Sequence, residues 1–148
     1  MHVRLYVDPA SEASWRASRW LAIVEQARPI DVEFVLAPTA AGRSVARVAA
    51  AAGDLVGADG PRAVYEAYGR RRFALGEADS ASATEEGLRD LQLPTFLTFA
   101  AGDTKWDAHL AEPPAEPLLI DGVPHSLPDL PEIPTGGDAT ALFDELSR

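Results

Sequence analysis

Val3-Arg4-Leu5-Tyr6-Val7-Asp8-Pro9-Ala10-Ser11-Glu12-Ala13-Ser14-Trp15-Arg16-Ala17-Ser18-Arg19-Trp20-Leu21 decides how this chain of 148 residues folds. Val3, Leu5 and Val7 alternate with Arg4 and Tyr6, the period of a strand with one buried face. Asp8-Pro9-Ala10 turns the chain. From Trp15 to Gln26 the spacing becomes helical, with Ala17, Trp20, Leu21, Val24 and Ala27 in one stripe and Arg16, Arg19, Glu25 and Gln26 mostly off it. Between strand and helix stands the tetrad Ser11-Glu12-Ala13-Ser14, at a predicted helix N-terminus where backbone N–H groups are free. Pro29 closes the helix, and Asp31–Leu36 reads as a second strand. Strand, helix and strand joined by short connections predict a βαβ unit with a parallel strand pair.

The remainder of the chain predicts an α/β domain. Val45, Val48, Ala49, Ala52 and Leu55/Val56 form an amphipathic helix. Gly60-Pro61 opens a third, with Val64, Tyr68 and Arg71 on one side, and Ala83 to Leu91 reads as a fourth. Pro94-Thr95-Phe96-Leu97-Thr98-Phe99 is ambiguous, because its β-branched and aromatic residues favour a strand. Leu118-Leu119-Ile120 before Asp121-Gly122 reads as a strand entering a hairpin turn. Val123 to Pro134, rich in proline, is expected to be a loop. Gly136-Gly137-Asp138 is expected to cap a last helix with Ala139, Leu142, Phe143 and Leu146 inward.

Composition narrows the function classes. A formal net charge of −10 disfavours nucleic acid as a partner. No run of about eighteen apolar residues is present, so no transmembrane helix is expected. The first residues enter a strand without an apolar leader, and a cytoplasmic protein is expected. The chain has no cysteine. Disulfide exchange needs a thiolate and a second sulfur, so this chain cannot perform it alone. His2, His109 and His125 have no metal-ligand spacing. No phosphate-binding glycine loop or nucleophile elbow appears.

The opening stretch resembles the active-site segment of the DsbA-like thioredoxin-fold family, in particular its actinobacterial mycothiol-dependent nitroreductases. Those read Asp-Pro-x-Cys-Pro-Trp-Cys-Trp and then Thr-Ser-Arg-Trp. This chain keeps Asp8-Pro9, Trp15 and Ser18-Arg19-Trp20, and carries Ser-x-x-Ser, without the proline, in place of Cys-x-x-Cys. Further similar tracts run from Arg47-Val48-Ala49 through Tyr65-Glu66-Ala67-Tyr68-Gly69-Arg70-Arg71, from Leu88 to Leu110, and from Ile120-Asp121-Gly122-Val123 to Ile133-Pro134, with Leu142-Phe143-Asp144 after it. Two segments are shorter than in the family, after Leu36 and between Leu110 and Pro117. The resemblance implies one shortened thioredoxin-like domain over residues 1–148. Its core would be residues 1–43 and 112–148, and a helical insertion would occupy 44–111. In the family's register Pro94 begins a helix. The same resemblance implies a cis-proline opposite the tetrad. Pro94 and Pro117 are the two candidates, with Pro117 favoured.

The tetrad also resembles, loosely, the Ser-Pro-Tyr-Ser pattern of kappa-class glutathione transferases and hydroxychromene-carboxylate isomerases. That likeness implies a non-redox protein that handles a small molecule, with Ser11 donating a hydrogen bond to the thiolate of a thiol cosubstrate. In an actinobacterial setting that cosubstrate is mycothiol, with no resident cofactor. Ser11, Ser14 and Glu12 are then the catalytic candidates for transferase or isomerase chemistry. Trp15, Tyr65, Tyr68, Pro117 and His125 are the substrate-binding candidates.

Each residue also has a plainer reading. Ser11 is a good N-cap, Glu12 suits the first turn electrostatically, Trp15 and the tyrosines suit a core, and His125 suits an exposed loop. Arg70-Arg71-Arg72 reads as a solvated helix end. The alternative function is a catalytically silent relative acting as a binding or scaffold partner. Small-molecule or protein partners fit both readings, and both are compatible with a homodimer.

Overall fold

The computed structural model describes residues 1–148. The chain folds as a mixed α/β protein around a four-stranded sheet. Strand β1 (His2–Val7) buries Val3, Leu5 and Val7 completely, while Arg4 and Tyr6 stay half-exposed. Strand β2 (Asp31–Leu36) runs parallel to it, in register from His2 opposite Asp31 to Val7 opposite Leu36. Strand β3 (Leu118–Ile120) lies antiparallel on the other side of β1, and β4 (Val123–His125) closes an antiparallel hairpin on β3. The sheet order is therefore β2-β1-β3-β4. Asp121 and Gly122 both have positive φ, 49° and 81°, as a type I′ hairpin turn requires.

Helix α1 (Glu12–Ala27) connects the parallel strands. Its stripe of Ala17, Trp20, Leu21 and Val24 is fully buried. Helix α5 (Gly136–Leu146) packs beside it. There Trp20 Nε1 donates to the Ala139 carbonyl at 2.9 Å, and the Trp20 and Phe143 rings lie 6.2 Å apart. Burying two large aromatics with the indole N–H satisfied fixes α5 on α1 without an orphaned donor.

Every element between β2 and β3 is helical. These are a 3-10 turn at Ala40–Gly42, α2 (Arg43–Val56), α3 (Gly60–Gly69), a π-turn at Arg70–Ala74, α4 (Ser80–Asp90), and 3-10 segments at Thr95–Gly102 and Thr104–His109. Pro61 sits in the first turn of α3, where its missing N–H costs nothing. No helix is long and apolar enough to cross a membrane.

Several expectations are corrected. The stretch ambiguous between strand and helix is helical, over Thr95–Gly102. Leu97 and Ala100 turn inward while Phe96 and Phe99 face solvent, a spacing of three that overrides β propensity. Leu55 and Val56 are half-exposed beyond the end of the buried α2 stripe. Helix α3 ends at Gly69 and passes into the π-turn before reaching Arg71. Val123–His125 is an edge strand, tolerated despite Pro124 because an edge needs only one side of its ladder. Gly136, Gly137 and Asp138 lie inside the first turn of α5, whose N-cap is Thr135. Neither proline candidate is cis. Pro94 leads into the helical segment, as in the family's register. Pro117 stands directly before β3, where its carbonyl accepts from Tyr6 N at 2.9 Å and prolongs the ladder with β1.

Candidate functional site at the first helix

The tetrad is built from the end of β1. Asp8 turns the chain by accepting at its backbone oxygen from Ser11 N (2.9 Å) and at Oδ1 from Ala10 N (3.0 Å). Its Oδ2 accepts from Thr39 Oγ1 at 2.8 Å, which ties the loop after β2 to the same corner. Gly42 lies against Asp8 so closely that any Cβ there would collide with the carboxylate. Ser11, in an extended conformation, is the N-cap of α1, and its Oγ accepts from Ser14 N at 3.1 Å. Ser14 is buried, and its Oγ accepts from Asp8 N at 3.3 Å. Both hydroxyls therefore satisfy backbone donors of the turn and the first helical turn. Glu12 extends into solvent and pairs with Arg16 one turn along at 3.0 Å. Arg16 also donates to the Leu130 carbonyl at 3.1 Å, pinning the proline-rich loop.

Trp15 faces the helical segment. It is buried against Gly69, where a Cβ would collide with the indole edge, and its ring lies 5.9 Å from Phe73. Its indole N–H has no hydrogen-bond partner. Ser18 Oγ donates to the Trp15 carbonyl at 2.6 Å, which holds this turn of α1.

Tyr65 is fully buried, edge-on to Phe34 at 6.0 Å, and its hydroxyl is also unpartnered. Burial pushes its phenol pKa far up, and the nearby Ser18 hydroxyl offsets only part of that. A phenol so placed stays neutral and cannot serve as a base.

Tyr68 points elsewhere. It packs with Val45 and Ala83 between α2 and α4, with its hydroxyl 3.2 Å from Ser80 Oγ, so it is a wall of the helical segment and does not overhang Ser11. His125 lies two strands from β1, opposite Leu118, which is itself opposite Leu5. The fold thus brings Ser11, Glu12, Ser14 and Trp15 together on one turn and leaves Tyr68 and His125 on other elements.

The principal cavity lies beside Trp15. It has a volume of about 530 Å³ and is lined by Trp15 and Arg19 of α1, Glu66 of α3, Arg70 of the π-turn, and Asp90 and Leu91 at the end of α4. That volume is typical of small-molecule sites, which run roughly from 300 to 1,000 Å³. The lining is mainly apolar, with charges at the rim. Arg62 takes Glu66 at 2.7 Å and also binds Glu25. Arg71 takes Asp90 through two hydrogen bonds of 2.7 and 2.5 Å, and this pair holds the Asp90 carboxyl below its ordinary pKa. Arg19 and Arg70 reach the same two carboxylates only at 3.8 Å.

Ser11 lines none of the five main cavities. A smaller one of about 320 Å³ lies between Ala13, Arg16 and the loop at Leu127–Leu130. Of the residues lining this cavity, the sequence singles out Trp15 as a binding candidate but not Arg19, Glu66 or Asp90, and Arg70 reads there as part of a solvated helix end. One available signal was helical spacing, since Arg19 stands four residues after Trp15 on the same face. Asp90 carried no such signal, because only folding brings it to Arg70 and Arg71. No protein-family model and no curated protein matches the chain.

Proposed function

We propose that this is a non-redox protein of the thioredoxin-like, DsbA-related kind, and that it handles a small molecule beside the first helix. The strand order, with one parallel and two antiparallel neighbour pairs, supports the thioredoxin-like core at residues 1–43 and 112–148. The all-helical stretch between β2 and β3 supports the insertion over 44–111. Without a sulfur nucleophile the protein performs no disulfide exchange.

The observation that carries the reading is the Trp15 cavity, apolar in its walls and charged at its rim. Ser11 acts first as the cap of α1. Its Oγ accepts from Ser14 N, and its own proton remains available, beside the free N–H groups of the first turn, to donate to the thiolate of a mycothiol-like cosubstrate. Transferase or isomerase chemistry therefore requires a thiol that reaches Ser11 while its conjugate lies against Trp15.

A second reading, a catalytically silent binding or scaffold protein, is favoured by a different observation. Phe96 is 55% exposed and Phe99 84% exposed on the same 3-10 segment. Titrating the ¹⁵N-labelled protein with a panel of small thiols and aromatic electrophiles separates the two. Shifts at Trp15 and Arg19 support the ligand reading. A panel that leaves both unmoved contradicts it and favours the scaffold.

A further inference from the structure

The charges around the Trp15 cavity are unevenly satisfied. Glu66 and Asp90 receive their short contacts from Arg62 and Arg71, neither of which lines the cavity. Arg19 and Arg70 stand at the rim with 3.8 Å contacts to those same carboxylates and no hydrogen bond of their own, their side chains 37% and 61% exposed. Each guanidinium carries five N–H donors in a planar fork suited to carboxylate or sulfonate oxygens. The rim and its ion-pair partners comprise Arg19, Arg62, Arg70 and Arg71 against Glu25, Glu66 and Asp90. Among the lining residues themselves Arg19 and Arg70 balance Glu66 and Asp90, so the cavity is locally neutral in a chain whose formal net charge is −10. Between the two arginines the walls are apolar, formed by Trp15, Ala67 and Leu91 among others.

We infer that this cavity binds an amphipathic monoanion, an aromatic carboxylate or sulfonate, with its ring against Trp15 and Leu91 and its anionic head at Arg19 and Arg70. This rests on the small-molecule reading of the same site. The head carries one negative charge, because Glu66 and Asp90 at the rim repel a second. The ring is required because apolar walls contribute through area removed from water, which a small inorganic anion cannot supply. An anion at the rim would displace water, not a short protein ion pair, from these two arginines, so it gains more there than over an arginine already held by a carboxylate.

Two isosteric probes test this, 2-naphthoate and the neutral 2-naphthamide, each titrated while the three indole N–H signals are followed and that of Trp15 is assigned with Trp15→Phe. The expected result is that naphthoate moves the Trp15 signal and binds about tenfold or more tightly than naphthamide. The double variant Arg19→Gln/Arg70→Gln should abolish that preference. Arg4→Gln/Arg28→Gln, which removes the same charge far from the cavity, should keep it. Equal binding of the two probes at Trp15 would overturn the anion inference and leave the cavity reading standing. So would a preference that survives Arg19→Gln/Arg70→Gln, or one that Arg4→Gln/Arg28→Gln also removes. Failure of both probes to move the Trp15 signal at about 1 mM would overturn the cavity reading with it.

Discussion

The corner at Asp8–Ser14 and the cavity at Trp15–Leu91 share one helix and treat their polar groups in opposite ways. At the corner, Asp8, Ser11 and Ser14 bind one another and the adjoining backbone through four hydrogen bonds of 2.9–3.3 Å, and Thr39 locks the arrangement from outside with another. At the cavity, two arginines lack hydrogen bonds and an indole N–H lacks a partner. A set of groups that satisfies itself contributes stability, whereas exposed guanidiniums held by water beside an apolar space can exchange that water for a ligand. The difference teaches that the serines of the tetrad are engaged first as architecture. Under the proposed reading the apolar recognition surface lies one helical turn further on, at Trp15.

The largest effect that would break the comparison is expected at Trp15, which directly follows the corner and lines the cavity. Trp15→Ala removes a buried indole and should cost about 3–5 kcal/mol of unfolding free energy in urea titrations. A loss below roughly 1 kcal/mol would mean the site collapses freely and that the cavity wall is not rigid. Next comes Gly69→Ala, which drives a methyl into the indole edge and should cost about 1–3 kcal/mol by overpacking. Gly102→Ala is the control, since a Cβ there meets nothing, and its melting temperature should stay close to that of the parent.

How much of this was legible beforehand differs between the same two regions. The corner is local. The alternation of Val3, Leu5 and Val7, the turn at Asp8-Pro9, Ser11 as a cap and the helical stripe through Val24 are all contained in consecutive residues, as is the Asp121-Gly122 hairpin. The cavity is not local. It is assembled from α1, α3, the π-turn and α4, and its rim depends on which of several arginines reaches Asp90 first. Arg70-Arg71-Arg72 reads as a solvated run, yet Arg71 folds back onto Asp90 and leaves Arg70 at the cavity mouth. Thr95–Phe99 misleads for a related reason. Its composition favours a strand, but the chain packs it on α2, where a spacing of three buries Leu97 and Ala100.

Acid should weaken the clamps that hold the helical segment and α5. Hydrogen bonds from Arg71, Arg47 and Arg28, respectively, hold Asp90, Asp107 and Asp144 below the ordinary carboxylate range. A carboxyl with a depressed folded-state pKa contributes stability above its unfolded pKa and loses it as pH falls through the folded value. The melting temperature should therefore hold from neutrality down to about pH 4 and fall below it. All three pairs are partly solvent-exposed, so raising the salt concentration should shrink the effect. Asp107→Asn should flatten part of the acid limb in thermal melts. An unchanged limb would show that the Arg47 pair is not maintained in solution.

The smallest expected change is the most direct test of the claim that the tetrad is architecture and the cavity is the site. Ser11→Ala removes the N-cap acceptor of α1 and should lower stability by about 1 kcal/mol. The decisive measurement is the affinity of 2-naphthoate for folded Ser11→Ala beside its melting temperature. The account predicts an earlier melt with affinity unchanged. An unchanged melt with affinity lost would contradict it and return the site to the serine hydroxyl.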